Sequence, residues 1–171
     1  MTETNITEVI GNDISKLMQP GPEKRQGMRG FDPDYVDIVD YIVRCTHKIW
    51  EEKQVGLIYT HYGHNALVHG TRGDSFGVES VVAGTVQTLA MFPDRRLFAD
   101  DVIWSGDDEA GYYTSHRITS TAHHSGAGSY GPPTGRKLRY RVIADCVVKE
   151  NRIIEEWLVR DELSIARQLG L

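Results

Sequence analysis

The spacing of apolar side chains changes once along the chain. From residue 33 to about residue 91 they return every three or four positions, the rhythm of helices with one buried face. Tyr35, Val39, Ile42, Thr46 and Ile49, with Trp50 beside them, predict a helix over 33–52. Asp32 then Pro33 predicts its start, an N-cap followed by proline at the first helical position. A shorter helix is expected over 55–62 and a brief strand over 66–69. Gly77 opens a third helix, with Val78, Val81, Val82, Val86 and Leu89 on one side and Phe92-Pro93 as its stop. Beyond Pro93 the period becomes two. Strands are predicted over 96–104, 112–124, 137–149 and 152–159, and a Gly- and Pro-rich loop over 125–135 separates the second from the third. Glu150-Asn151 turns the chain into the last strand, and an amphipathic helix over 162–169 ends it.

Helices first and strands later predict an α+β fold, a curved antiparallel sheet with helices gathered on one face. Such a sheet leaves a cone with an open mouth, a default place for a small ligand. Residues 1–31 differ from the rest. They hold few large apolar groups, leave room for one short helix over 10–18, and are broken by Gln19-Pro20-Gly21-Pro22. They are expected to form an arm packed on the body or on a partner subunit, with a loose tail as the other reading, and 32–171 the folded domain.

Composition narrows the function classes. The 171 residues carry a net charge of -5, and 40% are hydrophobic and 25% charged. This is the make-up of a globular domain. The acidic balance argues against nucleic acid as a partner, and no apolar run approaches the length of a membrane span. Residues 1–19 lack the charged and apolar blocks of a secretory signal, so a cytoplasmic location is expected. The two cysteines, Cys45 and Cys146, sit in apolar patterns and read as buried, reduced thiols rather than nucleophiles.

Strand alternation brings candidate chemistry together. On the last strand Ile153, Glu155, Trp157, Val159 and Asp161 fall on one face. On the second, His116, Ile118, Ser120, Ala122 and His124 share a face. If both faces line the cone, a carboxylate beside an indole meets imidazoles, and burial raises its pKa toward a useful value. A second reading of Asp161 stands beside this one: it immediately precedes the last helix and can be its N-cap, which lowers the pKa instead. His124 can equally face solvent, and His116 can be a satisfied sheet histidine. The run 126–131 spells G-x-G-x-x-G, but prolines and a strand follow where a dinucleotide site needs a helix, so it reads as a loop. His61, His64 and His69 cluster without metal-ligand spacing, and no G-x-S-x-G is present.

Several short motifs resemble those of the SnoaL-like polyketide cyclases. They are Val68-His69-Gly70, Phe92-Pro93-Asp94, His123-His124-Ser125-Gly126, Pro133-Thr134-Gly135, and the ending Arg152 to Trp157, then Asp161, then Gln168-Leu169-Gly170. His123 replaces a threonine of that pattern, Asn151 a turn glycine, and the stretch 106–113 is several residues longer. The resemblance implies the cone-shaped fold shared with nuclear transport factor 2 and ketosteroid isomerase. It also implies cofactor-free acid–base catalysis of an intramolecular aldol closure. Asp161 would be the acid–base and His124 its neighbour, with Trp157, His116, His69, Trp50 and Phe92 shaping the pocket. No cofactor and no metal are expected. The expected partners are a small, mainly apolar carbonyl compound and a second copy of the chain, meeting over the outer sheet face. A non-catalytic binding module, and a hydrolase or dehydratase in the same cone, are the rival readings.

Overall fold

A computed structural model describes residues 26–171. The short helix expected over 10–18 lies outside these residues. Helix α1, Ile38–Trp50, starts five residues later than its apolar pattern suggests. Asp37, not Asp32, is its N-cap, with a side-chain oxygen 2.8 Å from the Asp40 amide. Asp32 instead folds the preceding turn, accepting the Asp34 amide at 3.1 Å. The α1 face carrying Ile38, Tyr41, Ile42, Cys45 and Ile49 is buried. A 3-10 turn, Val55–Leu57, and a one-turn helix α2, Ile58–His61, follow.

The chain then forms strands β1, Tyr62–Gly70, and β2, Gly73–Phe76, a short hairpin of which only the middle of β1 shows in the sequence pattern. Helix α3, Val78–Met91, starts at Gly77, whose φ of 82° suits glycine. Its buried residues are Val78, Thr85, Thr88 and Met91, whereas Val86 is exposed. The apolar pattern finds the first part of this face, Val78, Val81 and Val82, and loses the rest because there the helix does not rest on solid core. Ser80, Val81, Gly84, Thr85 and Thr88 face a cavity, and small hydroxylic side chains leave no hydrophobic signal.

Four long strands complete the sheet: β3, Arg96–Asp107; β4, Gly111–His123; β5, Lys137–Lys149; and β6, Arg152–Arg160. The order is β2-β1-β6-β5-β4-β3, with β3 at one edge. The β1–β6 pairing is parallel, so the sheet is mixed rather than wholly antiparallel. Glu150 and Asn151 both have positive φ, 48° and 67°, as a two-residue type I′ hairpin requires. Edge strand β3 is interrupted by a register shift between Ala99 and Asp101. Helix α4, Glu162–Leu169, is capped by Asp161, which accepts the Ser164 amide at 2.9 Å, and ends at left-handed Gly170.

One irregularity decides which side chains point inward. In β6, Val147 pairs with Glu155 but Val148 pairs with Ile153, so Ile154 is an extra residue. An inserted residue inverts the strand's alternation beyond it. Ile153 therefore faces inward, and so do Glu156, Leu158 and Arg160, while Trp157 turns to the outer face.

The 92–94 and 123–126 motifs form a clasp. Asp94 accepts the His123 amide at 2.8 Å, and the Ser125 and Gly126 amides donate to the Met91 carbonyl at 3.0 and 3.1 Å. A Cβ at Gly126 would lie 1.9 Å from the Ala90 carbonyl oxygen, so the chain closes here only through glycine. Gly126→Ala should cost at least ~2 kcal/mol, the scale of backbone displacement. An unchanged urea midpoint would show that the clasp does not constrain the fold.

Candidate functional site

The concave sheet face, α1 and α3 enclose a cavity of about 210 Å³. Ile42, Ile49, Val81, Leu97, Ile118 and Val142 give it a mainly apolar wall. Glu156, Tyr62, His116, Arg95 and Arg160 interrupt that wall, together with small hydroxyls such as Ser80, Thr85 and Thr88.

Glu156 is brought inward by the β6 bulge and is buried, with 8% of its surface exposed. The Tyr62 hydroxyl donates to its Oε2 at 3.0 Å. Burial pushes the Glu156 carboxyl up to about 7, with the Tyr62 hydrogen bond pulling the other way. Its neighbours are the buried thiols of Cys45 and Cys146, both pushed up by burial, Cys45 to about 12. Neither thiol is a nucleophile at neutral pH.

His116 lies on β4 with its face to the cavity, as strand alternation predicts. It is buried, and its Nε2 has no hydrogen-bond partner among the described residues. Burial lowers its pKa to about 4, only partly offset by Asp100, so the ring is neutral at pH 7. Thr114, Cys146 and Glu156 form one cross-strand row, and His116, Ala144 and Leu158 the next. Glu156 and His116 therefore stand two strands and one inward position apart, roughly 12 Å between backbones. That spacing leaves a small ligand between the two side chains.

At the other end of the cavity the Arg95 guanidinium lies 4.4 Å over the Trp50 ring and 5.9 Å from the Tyr140 ring centre. Its Nε donates to Ser120 Oγ at 3.1 Å. Arg160 projects from β6, and its Nε donates to Glu162 at 3.0 Å.

Only some of the residues singled out from sequence reach this cavity. His116 and Trp50 line it. Asp161 is exposed at the head of α4, its side chain engaged with Ser164. His124 is fully buried, but in a second apolar cluster, where it packs against Phe92 and Tyr130 and contacts Thr134 through Nδ1 at 3.3 Å. Phe92 belongs to that cluster too. Trp157 and His69 stack on the outer face at 5.0 Å, with Tyr113 on the other side of the indole at 6.1 Å. His69 bridges Asp74 and Glu155 at 3.0 and 2.9 Å, hydrogen bonds that raise its pKa. His61 is a core histidine, held by Tyr35 and Thr60 at 2.8 Å each. The shared face expected for Asp161, Trp157 and the imidazoles is thus undone by the bulge at Ile154. Glu156, Tyr62, Arg95 and Arg160 were passed over in the sequence, because nothing in a run of Ile-Ile-Glu-Glu marks which glutamate turns inward.

With this geometry in view, the comparisons are informative. The family model of the SnoaL-like polyketide cyclases matches residues 40–169, and the chain belongs to that family. Solved structures with the same fold include IdmH from Streptomyces antibioticus, 23% identical with a TM-score of 0.65, covering 78% of this chain and 98% of that one. TsrD from Streptomyces laurentii is 19% identical with a TM-score of 0.67, covering 77% and 94%. AclR from Streptomyces galilaeus is 19% identical with a TM-score of 0.64, covering 76% and 92%. These likenesses carry the fold and not the reaction. No curated protein sequence matches the chain.

The Glu156 environment gives a sign for stability against pH. Its pKa rises from 4.5 to about 7 on folding, so between those values the folded chain holds a proton the unfolded chain has lost. Stability is therefore present below 4.5 and lost as pH rises through 7. His116, lowered from 6.5 to about 4, slopes the opposite way: its contribution is present above 6.5 and lost as pH falls through 4. The difference between Glu156→Gln and the unaltered chain isolates the first effect. That difference should shift in favour of the variant by roughly 2–3 kcal/mol between pH 5 and pH 8. Urea titrations with parallel pH profiles would show that Glu156 ionises normally.

Proposed function

We propose that the chain is a cofactor-free acid–base enzyme of cyclase or isomerase type, acting on a small, mainly apolar carbonyl compound in the cavity. The observation that carries this reading is a buried carboxyl on the cavity wall whose pKa lies near 7. A general acid–base works best when its pKa is close to the working pH.

The chemistry needs no further reactant. Ionised Glu156 takes a proton from the carbon next to a substrate carbonyl. Tyr62 holds the carboxyl in place and does not touch the reacting atoms. The carbonyl oxygen gains negative charge, and neutral His116 on the cavity wall donates a ring N–H hydrogen bond to it. The enolate carbon bonds to a second carbonyl carbon of the same molecule, and the resulting alkoxide takes the proton back from Glu156. Return of that proton to a different carbon gives isomerisation instead. The apolar wall holds a flexible substrate in one folded conformer, which contributes through orientation.

Asp161 with His124 is the alternative acid–base pair that the family motifs suggest. The capping role of Asp161 and the separate cluster around His124 favour Glu156. Solvent deuterium uptake by 2-tetralone, followed by NMR, separates the two. Glu156→Gln should slow the catalysed exchange by 10²–10⁴-fold, the usual worth of a general base. Asp161→Asn, which keeps a capping oxygen, should leave the rate within about twofold. The reverse pattern would move the chemistry to Asp161, and exchange equal to that of buffer would leave a binding module.

The outer sheet face supports assembly as a homodimer. It exposes Phe98, Ile103, Tyr113, Ile143 and Val159 around the partly covered Trp157. Such a patch exceeds the scattered apolar residues normal on a monomer. Light scattering at micromolar concentration should give twice the 19.3 kDa chain mass, and Tyr113→Glu should return the single-chain mass. A monomer in the unaltered chain would refute the pairing. Among the described residues no helix is long and apolar enough to cross a membrane.

A further inference from the structure

Several arginines among the described residues are matched to acids. Arg44, Arg72, Arg96, Arg117, Arg141 and Arg160 each pair with a carboxylate. Arg95 is the most deeply buried of the chain's arginines among the described residues, with 6% of its surface exposed, and it pairs with none of them. Its Nε is satisfied by Ser120, but its two terminal nitrogens have no hydrogen-bond acceptor among the described residues. The next residue, Arg96, takes the nearby carboxylate instead, 2.8 Å from Glu51. The Trp50 and Tyr140 rings give Arg95 some compensation. A cation over an aromatic ring recovers only part of what desolvating an ion costs. Burial and the proximity of Arg160 both disfavour the charged form of Arg95, yet a guanidinium stays ionised in proteins. The cavity therefore contains a desolvated positive charge with its terminal donors unassigned.

We infer that the cavity takes a ligand bearing a carboxylate, and that Arg95 is the residue that receives it. A guanidinium presents two parallel N–H groups that match the two oxygens of a carboxylate. One unpaired cation suits a monoanion. The remaining wall is mainly apolar, so the rest of the ligand is hydrocarbon or aromatic. The volume of about 210 Å³ exceeds the ~150 Å³ cavity that holds benzene, so a substituted single ring or a bicycle fits.

The register orders the polar groups along the cavity. The row holding Glu156 includes Thr114, the next begins at His116, and Arg95 is tied to Ser120, six positions from Thr114 on the same strand. Arg95 thus receives the end of the ligand remote from Glu156, and the carboxylate is an anchor rather than a reacting group. The inference rests on the reading of this cavity as the substrate site, and deepens it by naming the substrate class: a small acid with a carbonyl distant from its carboxylate.

The test uses the full chain and isothermal titration with two probes of the same shape, 3-phenylpropanoate and 3-phenylpropanamide. The unaltered chain should bind the acid at least tenfold more tightly than the amide. Arg95→Met should reduce the acid to the affinity of the amide and leave the amide unchanged. Arg95→Lys keeps the charge without the fork and should retain part of the preference, which serves if the methionine variant does not fold. Arg160→Gln should retain most of it. Glu156→Gln should retain it fully, so a failure of the acid–base chemistry is distinguishable from a failure of the anchor. Equal binding of acid and amide by the unaltered chain would overturn the inference. So would a preference that survives loss of Arg95 but not loss of Arg160, or inorganic phosphate binding more tightly than the acid.

Discussion

The arrangement of this protein's interior depends on one extra residue. Ile154 has no partner on β5, and its insertion turns the rest of β6 over. Because a strand's side chains alternate, one insertion exchanges the contents of both sheet faces. Without it, Glu155, Trp157 and Val159 would project into the hollow, and the bulky indole would fill space a ligand needs. With it, a glutamate, a leucine and an arginine face inward, and the indole stacks outside between His69 and Tyr113. The polarity of the cavity and the aromatic character of the outer face have the same origin.

Several of the motifs that mark the family make structural contacts in this chain. Asp94 fastens the end of β4, Gly126 allows two segments to touch, and Asp161 starts α4. His124 is buried beside Phe92 beneath the loop that follows β4. Around this frame the cavity wall is contributed both by motif residues, Val68, Gly70, Ile153 and Glu156, and by residues outside them, Arg95, His116 and Tyr62 among them. Members with one frame can thus differ in chemistry through a few wall positions, in keeping with the general separation of fold from function.

Much of the fold was legible because it rests on local rules. The boundaries of β5 and α4 follow directly from alternation, from Asp161 and from Gly170. The inward direction of His116 follows from alternation since β4 runs without interruption. The start of α1 was not, because Asp32 and Asp37 are both competent caps and only tertiary packing selects the second. The second half of the inward face of α3 was not legible, as Thr85, Thr88 and Gly84 against a hollow carry no apolar periodicity. Glu156 was hidden for a different reason. A bulge is fixed by pairing with neighbouring strands, and the parallel β1–β6 contact that shares in it is a long-range feature.

The edge of the sheet has a consequence of its own. Strand β3 offers twelve residues of backbone with one side unpaired by any strand among the described residues, and Phe98 and Ile103 lie exposed on it. Such a border invites a foreign strand to add on, the first step toward fibrous aggregation. Here the register shift at Ala99 breaks the straight run, and Asp100 and Asp101, tied to Arg141 and Arg117, set charge at the break. A crooked border carrying ion pairs is a poor template for an added strand.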